Sequence, residues 1–169
     1  MKKYISFALM TIALSFGFVS CDVETDEEPG GTNVEKMAGR WEVTVDAYDT
    51  DGKLLYEDPY QMGVIEIRTY NTADNSSTQM WLDDVNNFWA FKFKTNINYE
   101  ARTFSNEAVD YDAAGTGKAV VTNGKILEGA AKNLHGMPND SIVFDIQFDD
   151  DDNELVYRIS GQRYTGFKE

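Results

Sequence analysis

Gly39-Arg40-Trp41-Glu42-Val43-Thr44-Val45-Asp46-Ala47-Tyr48-Asp49-Thr50-Asp51-Gly52 decides the fold. Trp41, Val43, Val45 and Ala47 alternate with Glu42, Thr44, Asp46 and Tyr48. A period of two puts every second side chain on one face, so the run reads as a strand with one face in a core. It ends in Asp51-Gly52, a dipeptide suited to the left-handed backbone of a tight hairpin turn.

The same period recurs downstream. Candidate strands cover 62–70, 78–83, 88–95, 97–104, 118–122, 125–131, 141–148 and 154–160, separated by turn-forming clusters at 71–77, 113–117, Asn123-Gly124 and 149–153. No stretch shows the 3.6-residue period of an amphipathic helix. Eight or nine short strands joined by tight turns predict an all-β antiparallel meander. Such a sheet must close, because a long free edge invites aggregation. A closed sheet of about eight strands is a barrel whose interior is just filled by side chains or holds one small ligand.

Trp89, Phe91 and Phe93 share one strand face, as do Ile142, Phe144, Ile146 and Phe148, and as do Leu155, Tyr157 and Ile159. Burial of each large side chain contributes about 1.5 to 3 kcal/mol, so these faces must meet in a core. If that core is hollow, Trp81, Trp89, Phe91, Phe144 and Tyr157 are the expected pocket lining.

The chain start has a different chemistry. Lys2 and Lys3 precede an apolar run from Ile5 to Val19, the charged and apolar regions of a secretory signal. Fifteen helical residues span only about 22 Å, short of a hydrocarbon core of about 30 Å. Phe18-Val19-Ser20-Cys21 follows, with an apolar residue three before the cysteine and a small one directly before it. This resembles the lipobox of bacterial lipoproteins, which implies cleavage after residue 20 and lipid attachment to the Cys21 thiol. Cys21 is the only cysteine, so no disulfide can form within the chain. Residues 21–36 are expected to form an acidic flexible tether and 37–169 the barrel. Five acids fall between Asp22 and Asn33 with one valine as the only bulky apolar residue, too little apolar surface to offset ordering entropy. An acidic run at this place also resembles the surface-export signal of Bacteroidota lipoproteins.

The formal charge is −14, and removing residues 1–20 takes away two lysines and no acid, giving −16. A field of that sign disfavours nucleic acid and other polyanions. About 150 residues bury roughly two thirds of their unfolded surface, enough for one core without disulfides.

Gly39-Arg40-Trp41 resembles the G-x-W signature of lipocalins and other calycins. The resemblance implies that Trp41 plugs the closed end of an up-and-down barrel and that an arginine from the last strand covers its ring. Arg158 and Arg163 are the candidates, and Arg158 is assigned that role. With Ala38-Gly39-Arg40-Trp41-Glu42-Val43 and the lipobox, the segment Tyr157-Arg158-Ile159-Ser160-Gly161-Gln162-Arg163-Tyr164-Thr165-Gly166-Phe167 resembles the Bacteroidota family known as lipid-binding putative hydrolases. That likeness implies a calycin-like fold and lipid binding, and assigns no catalytic residue.

The sequence carries no recognisable catalytic motif. There is no G-x-S-x-G elbow, and the single histidine, His135, lies in a turn-like stretch with only Ser141 or Ser160 to complete a relay. One histidine is too few for a catalytic zinc site. The acidic turns at 49–52 and 149–154 lack spaced calcium ligands. No cofactor or metal is expected. The leading expectation is an outer-membrane lipoprotein, on its periplasmic or cell-surface face, that binds a small hydrophobic or lipid-like ligand. The alternatives are an accessory subunit of an outer-membrane uptake or assembly system, with a filled barrel and an outer-membrane protein partner, and an esterase-like hydrolase.

Overall fold

A computed structural model describes residues 31–166. Nine strands are present among them: β1 (Gly39–Tyr48), β2 (Leu54–Glu57), β3 (Ile65–Asn71), β4 (Gln79–Asp83), β5 (Lys92–Asn98), β6 (Thr103–Asp110), β7 (Lys118–Lys132), β8 (Pro138–Phe148) and β9 (Val156–Arg163). Every pairing is antiparallel, and each strand from β3 to β9 pairs with the next. β1 then pairs with β9 from Trp41↔Arg163 to Tyr48↔Val156, which closes eight strands into a barrel. β2 stays outside the ring as a short flap on the far half of β1. The expected all-β, lipocalin-like barrel is therefore the fold.

The alternation read from the sequence places the core. Trp41, Val43, Val45 and Ala47 of β1 are all buried, as are Ile142, Phe144, Ile146 and Phe148 of β8. β1 and β9 approach so closely that a Cβ on Gly161 would collide with the Glu42 carbonyl and the Val43 backbone. Only glycine permits that seam.

Several element boundaries differ from expectation. Asn123-Gly124 does not reverse the chain. β7 runs through it as one strand, with a bulge where the register shifts between Thr122 and Lys125. Both flanks keep their partners on β8, so the left-handed Asn123 (φ 56°) absorbs one extra residue instead of making a turn. The break expected at Asn96 falls later, because Asn98 Oδ1 accepts the Ala101 N–H at 3.1 Å and nucleates the β5–β6 turn. Phe88 to Phe91, expected on a strand, belong to the β4–β5 connection. β2 was not expected at all; its Leu54, Leu55 and Tyr56 are exposed and show no alternation.

The domain also begins earlier than residue 37. Val34 is fully buried beside Met37, and Glu35 N–H, Met37 N–H and Ala38 N–H close a turn at 32–38. Residues 31–36 therefore belong to the ordered unit, because Val34, just past the stretch read as too polar to order, joins the core. Residues 1–30, including the signal segment, Cys21 and most of the tether, lie outside the described residues.

Candidate functional site

The two barrel ends differ. At the closed end, where β1 starts, Trp41 donates its indole N–H to Thr69 Oγ1 at 2.8 Å, and that hydroxyl donates to the Met37 carbonyl at 2.6 Å. The guanidinium over the Trp41 ring, 4.4 Å from its centroid, is that of Arg163 and not Arg158. It donates to the Ala38 and Lys36 carbonyls and to Asp140. Strand parity explains the correction. Tyr157, Ile159, Gly161 and Arg163 face inward, so Arg158 faces outward, where it forks onto Asp145 at 2.8 and 3.1 Å and lies 4.6 Å over Tyr48. Burial pushes the Asp145 carboxyl up, but the Arg158 and Asn123 hydrogen bonds outweigh it and hold the group below the ordinary carboxylate range.

At the opposite, open end the β4–β5 connection folds over the mouth. Asp84 directs it: Oδ1 accepts the Asn86 N–H at 3.0 Å, while Oδ2 accepts those of Phe88 at 3.1 Å and Trp89 at 2.9 Å. Burial pushes this carboxyl up against the pull of those donors. Val85, Asn86 and Ala90 take left-handed backbones (φ 55°, 58° and 57°), which a β-branched valine adopts only under strain.

That fold delivers Phe88 and Trp89 into an aromatic cluster. Trp89 stacks on Phe148 at 4.6 Å and 6°, Phe88 meets Tyr157 edge-on at 5.0 Å, and Tyr60 packs on Tyr157 at 6.1 Å. The polar atoms of the cluster form two chains that end on carboxylates. Tyr60 and Tyr157 share a hydroxyl contact of 2.8 Å, and Tyr157 donates to Asp151 Oδ2 at 3.0 Å. The Trp89 indole N–H and the Tyr111 hydroxyl donate to the two oxygens of Asp150, at 3.2 and 2.7 Å. Burial, then its hydrogen bonds to Tyr60 and Asp151, pushes the Tyr157 hydroxyl far above the ordinary tyrosine range, so it stays protonated. Beside the cluster a cleft of about 500 Å³ opens to solvent between the β2 flap and the β8–β9 connection, lined by Leu55, Tyr56, Pro59, Tyr60, Asn153 and Leu155.

The five residues expected to line one pocket are thus divided among three places. Phe91, Phe144 and Tyr157 point inward, each with no accessible surface, and serve as packing. Trp89 sits at the mouth. Trp81 lies on the outer wall, because Met80 and Leu82 take the inward positions of β4; it stacks on Tyr70 and lies under Lys92 and Lys94. The sequence reading missed Tyr60, Leu55 and the roles of Asp150 and Asp151. The available signal was the apolar run Leu54-Leu55-Tyr56 beside Tyr60, in a segment with no inward alternation.

A closed eight-stranded barrel, corked by a tryptophan under an arginine and rimmed with aromatic side chains at its other end, is a lipocalin-like architecture suited to apolar ligands. The model of the family described as lipid-binding putative hydrolase matches residues 26–168, and the chain belongs to that family. No curated protein matches the chain.

Proposed function

We propose that this is a lipid-anchored cell-envelope protein that binds a small lipid-like molecule at the open end of its barrel. The observation that carries the reading is the cleft of about 500 Å³ between β2 and the β8–β9 connection, whose wall residue Tyr60 packs behind it on Phe88, Trp89 and Tyr157. Its volume is that of a small-molecule site, and its lining mixes the apolar Leu55, Pro59 and Leu155 with the polar groups of Tyr56, Tyr60 and Asn153. Family membership supports a lipid-like ligand. The lipobox-like Phe18-Val19-Ser20-Cys21 supports an outer-membrane anchor through Cys21.

Full-length protein purified from its membrane and examined by native mass spectrometry should carry an amphiphile adduct. A Leu55→Asp/Tyr56→Asp variant, at two exposed residues of the cleft wall, should lose it while keeping its melting temperature within a few degrees. An adduct that persists in the variant places the ligand elsewhere. Cys21→Ala should abolish incorporation of labelled palmitate and release the protein from the membrane fraction.

The packed interior favours a second reading, an accessory subunit of an outer-membrane uptake or assembly system. The exposed Leu54, Tyr56 and Val64 would then face a protein partner. A photo-crosslinker at Val64 that captures one outer-membrane protein, in cells where no adduct is found, would select that reading.

A further inference from the structure

The cleft and the aromatic cluster have a chemical polarity that narrows their ligand. Every side-chain donor on the cluster is already engaged, three of them by carboxylates and that of Tyr60 by the Tyr157 hydroxyl. The Trp89 indole and the Tyr111 hydroxyl point at Asp150, and the Tyr157 hydroxyl points at Asp151. With the Tyr157 proton given to Asp151, the Tyr60–Tyr157 contact must be donated by Tyr60. On this cluster an incoming oxyanion therefore finds ring faces and protons already engaged; the cleft wall adds only the Tyr56 hydroxyl and the Asn153 amide as side-chain donors.

Charge around the cleft has the same sense. The two segments that line it, 54–60 and 149–155, contain no lysine or arginine. They carry Glu57, Asp58, Asp149, Asp150, Asp151, Asp152 and Glu154, of which Glu57, Asp149, Asp150, Asp152 and Glu154 are exposed; these acids flank the cleft wall and do not line it. Tyr60 keeps about half of its surface open at the cleft, at 49%, next to the rings of Phe88 and Trp89. Aromatic faces beside carboxylates attract a weakly hydrated cation through the ring quadrupole and through direct Coulomb attraction. A carboxylate or phosphate head meets repulsion from the same groups.

We infer that the open-end cleft takes amphiphiles with a cationic, alkylated ammonium head and discriminates against those with carboxylate or phosphate heads. This rests on the reading that the cleft binds an amphiphile. The alkyl tail would lie along Leu55, Pro59 and Leu155, with the head at Tyr60 and the acidic rim.

The full chain, held in nanodiscs of a neutral galactolipid at pH 7.5, should be titrated with hexyltrimethylammonium, hexyl glucoside and hexanoate. Tryptophan emission is the readout, with empty nanodiscs subtracted. Hexyltrimethylammonium should bind about tenfold more tightly than hexanoate or better, with hexyl glucoside between them, and added salt should narrow the gap. A Glu57→Gln/Asp152→Asn/Glu154→Gln variant should shrink that gap and leave hexyl glucoside binding unchanged. If hexanoate binds as tightly as the ammonium probe while hexyl glucoside also binds, the head-group inference is overturned and the amphiphile reading stands. If the variant retains the full gap, the acidic rim is not its source and the inference fails. If none of the three binds, the amphiphile reading falls and takes the inference with it.

Discussion

Arg163 does three things at once, and its substitutions should separate them. Its plane covers Trp41, its Nη1 and Nη2 hydrogens reach the Ala38 and Lys36 carbonyls, and Nη2 also meets Asp140. A lysine keeps the charge but loses the flat fork. Arg163→Met should cost about 2 kcal/mol, from one ring contact and hydrogen bonds to partly buried acceptors, and Arg163→Lys should recover less than half of that in urea unfolding. Arg158 has a separable role. Asp145 is depressed when folded, so its contribution is present above the ordinary carboxylate range and is lost as pH falls through the lower folded value. Wild type should therefore exceed Arg158→Met by a constant amount from pH 5 to 8. With Arg158 partly exposed, that amount is about 1 kcal/mol. The margin should shrink below about pH 4; a margin that grows on acidification would refute the assignment. Parity made the choice of arginine legible in advance: Arg163 has the same parity as Tyr157 and Ile159, already read as core, and Arg158 does not. The position of Trp81 was not legible in that way. Met80, Trp81 and Leu82 are three consecutive apolar residues, and composition does not tell which two face inward.

Among the elements, strands whose apolar residues alternate were readable and the connections were not. β1, β8 and β9 lie close to where period two puts them. The mouth is built from segments without a period, 54–64 and 84–91, whose shape depends on side chain to backbone hydrogen bonds. Asp58 accepts the Met62 and Gly63 N–H groups at 2.8 Å each, as Asp84 accepts those of Phe88 and Trp89. An aspartate in such a stretch looks like any solvated acid until its donors are known. The 84–91 connection also holds Val85 in a left-handed backbone. Val85→Gly should relieve about 1 to 2 kcal/mol of strain against about 0.5 to 1 kcal/mol of added unfolded-state entropy. The predicted net is a small stabilisation, read as a higher urea midpoint with an unchanged slope. A lower midpoint would show that the valine side chain contributes packing that outweighs its strain.

For the whole molecule, closure depends on one seam between the first and last strands of the barrel. Gly161→Ala should be among the most damaging single-methyl additions, because its Cβ would meet backbone and not a movable side chain. A loss of about 3 kcal/mol or more is expected, above the usual overpacking range because the backbones themselves must separate. Backbone amides of β1 and β9 should then exchange with solvent ahead of those of β7 and β8. Uniform acceleration across the sheet would mean that the seam does not open by itself. Barrel closure followed from the sequence only by argument against free edges. The flap β2 shows that one short edge was kept, and it stands beside the cleft.

The same seam bears on how the protein is made. Trp41 and Arg163 are neighbours in space but 122 positions apart in the chain, so the ring cannot be completed until the last strand has been delivered. A growing or translocating chain that lacks β9 leaves two unpaired edges and an unfinished core. Closure is therefore a late event in the life of the chain, possible only after the residues of β9 have emerged from the ribosome.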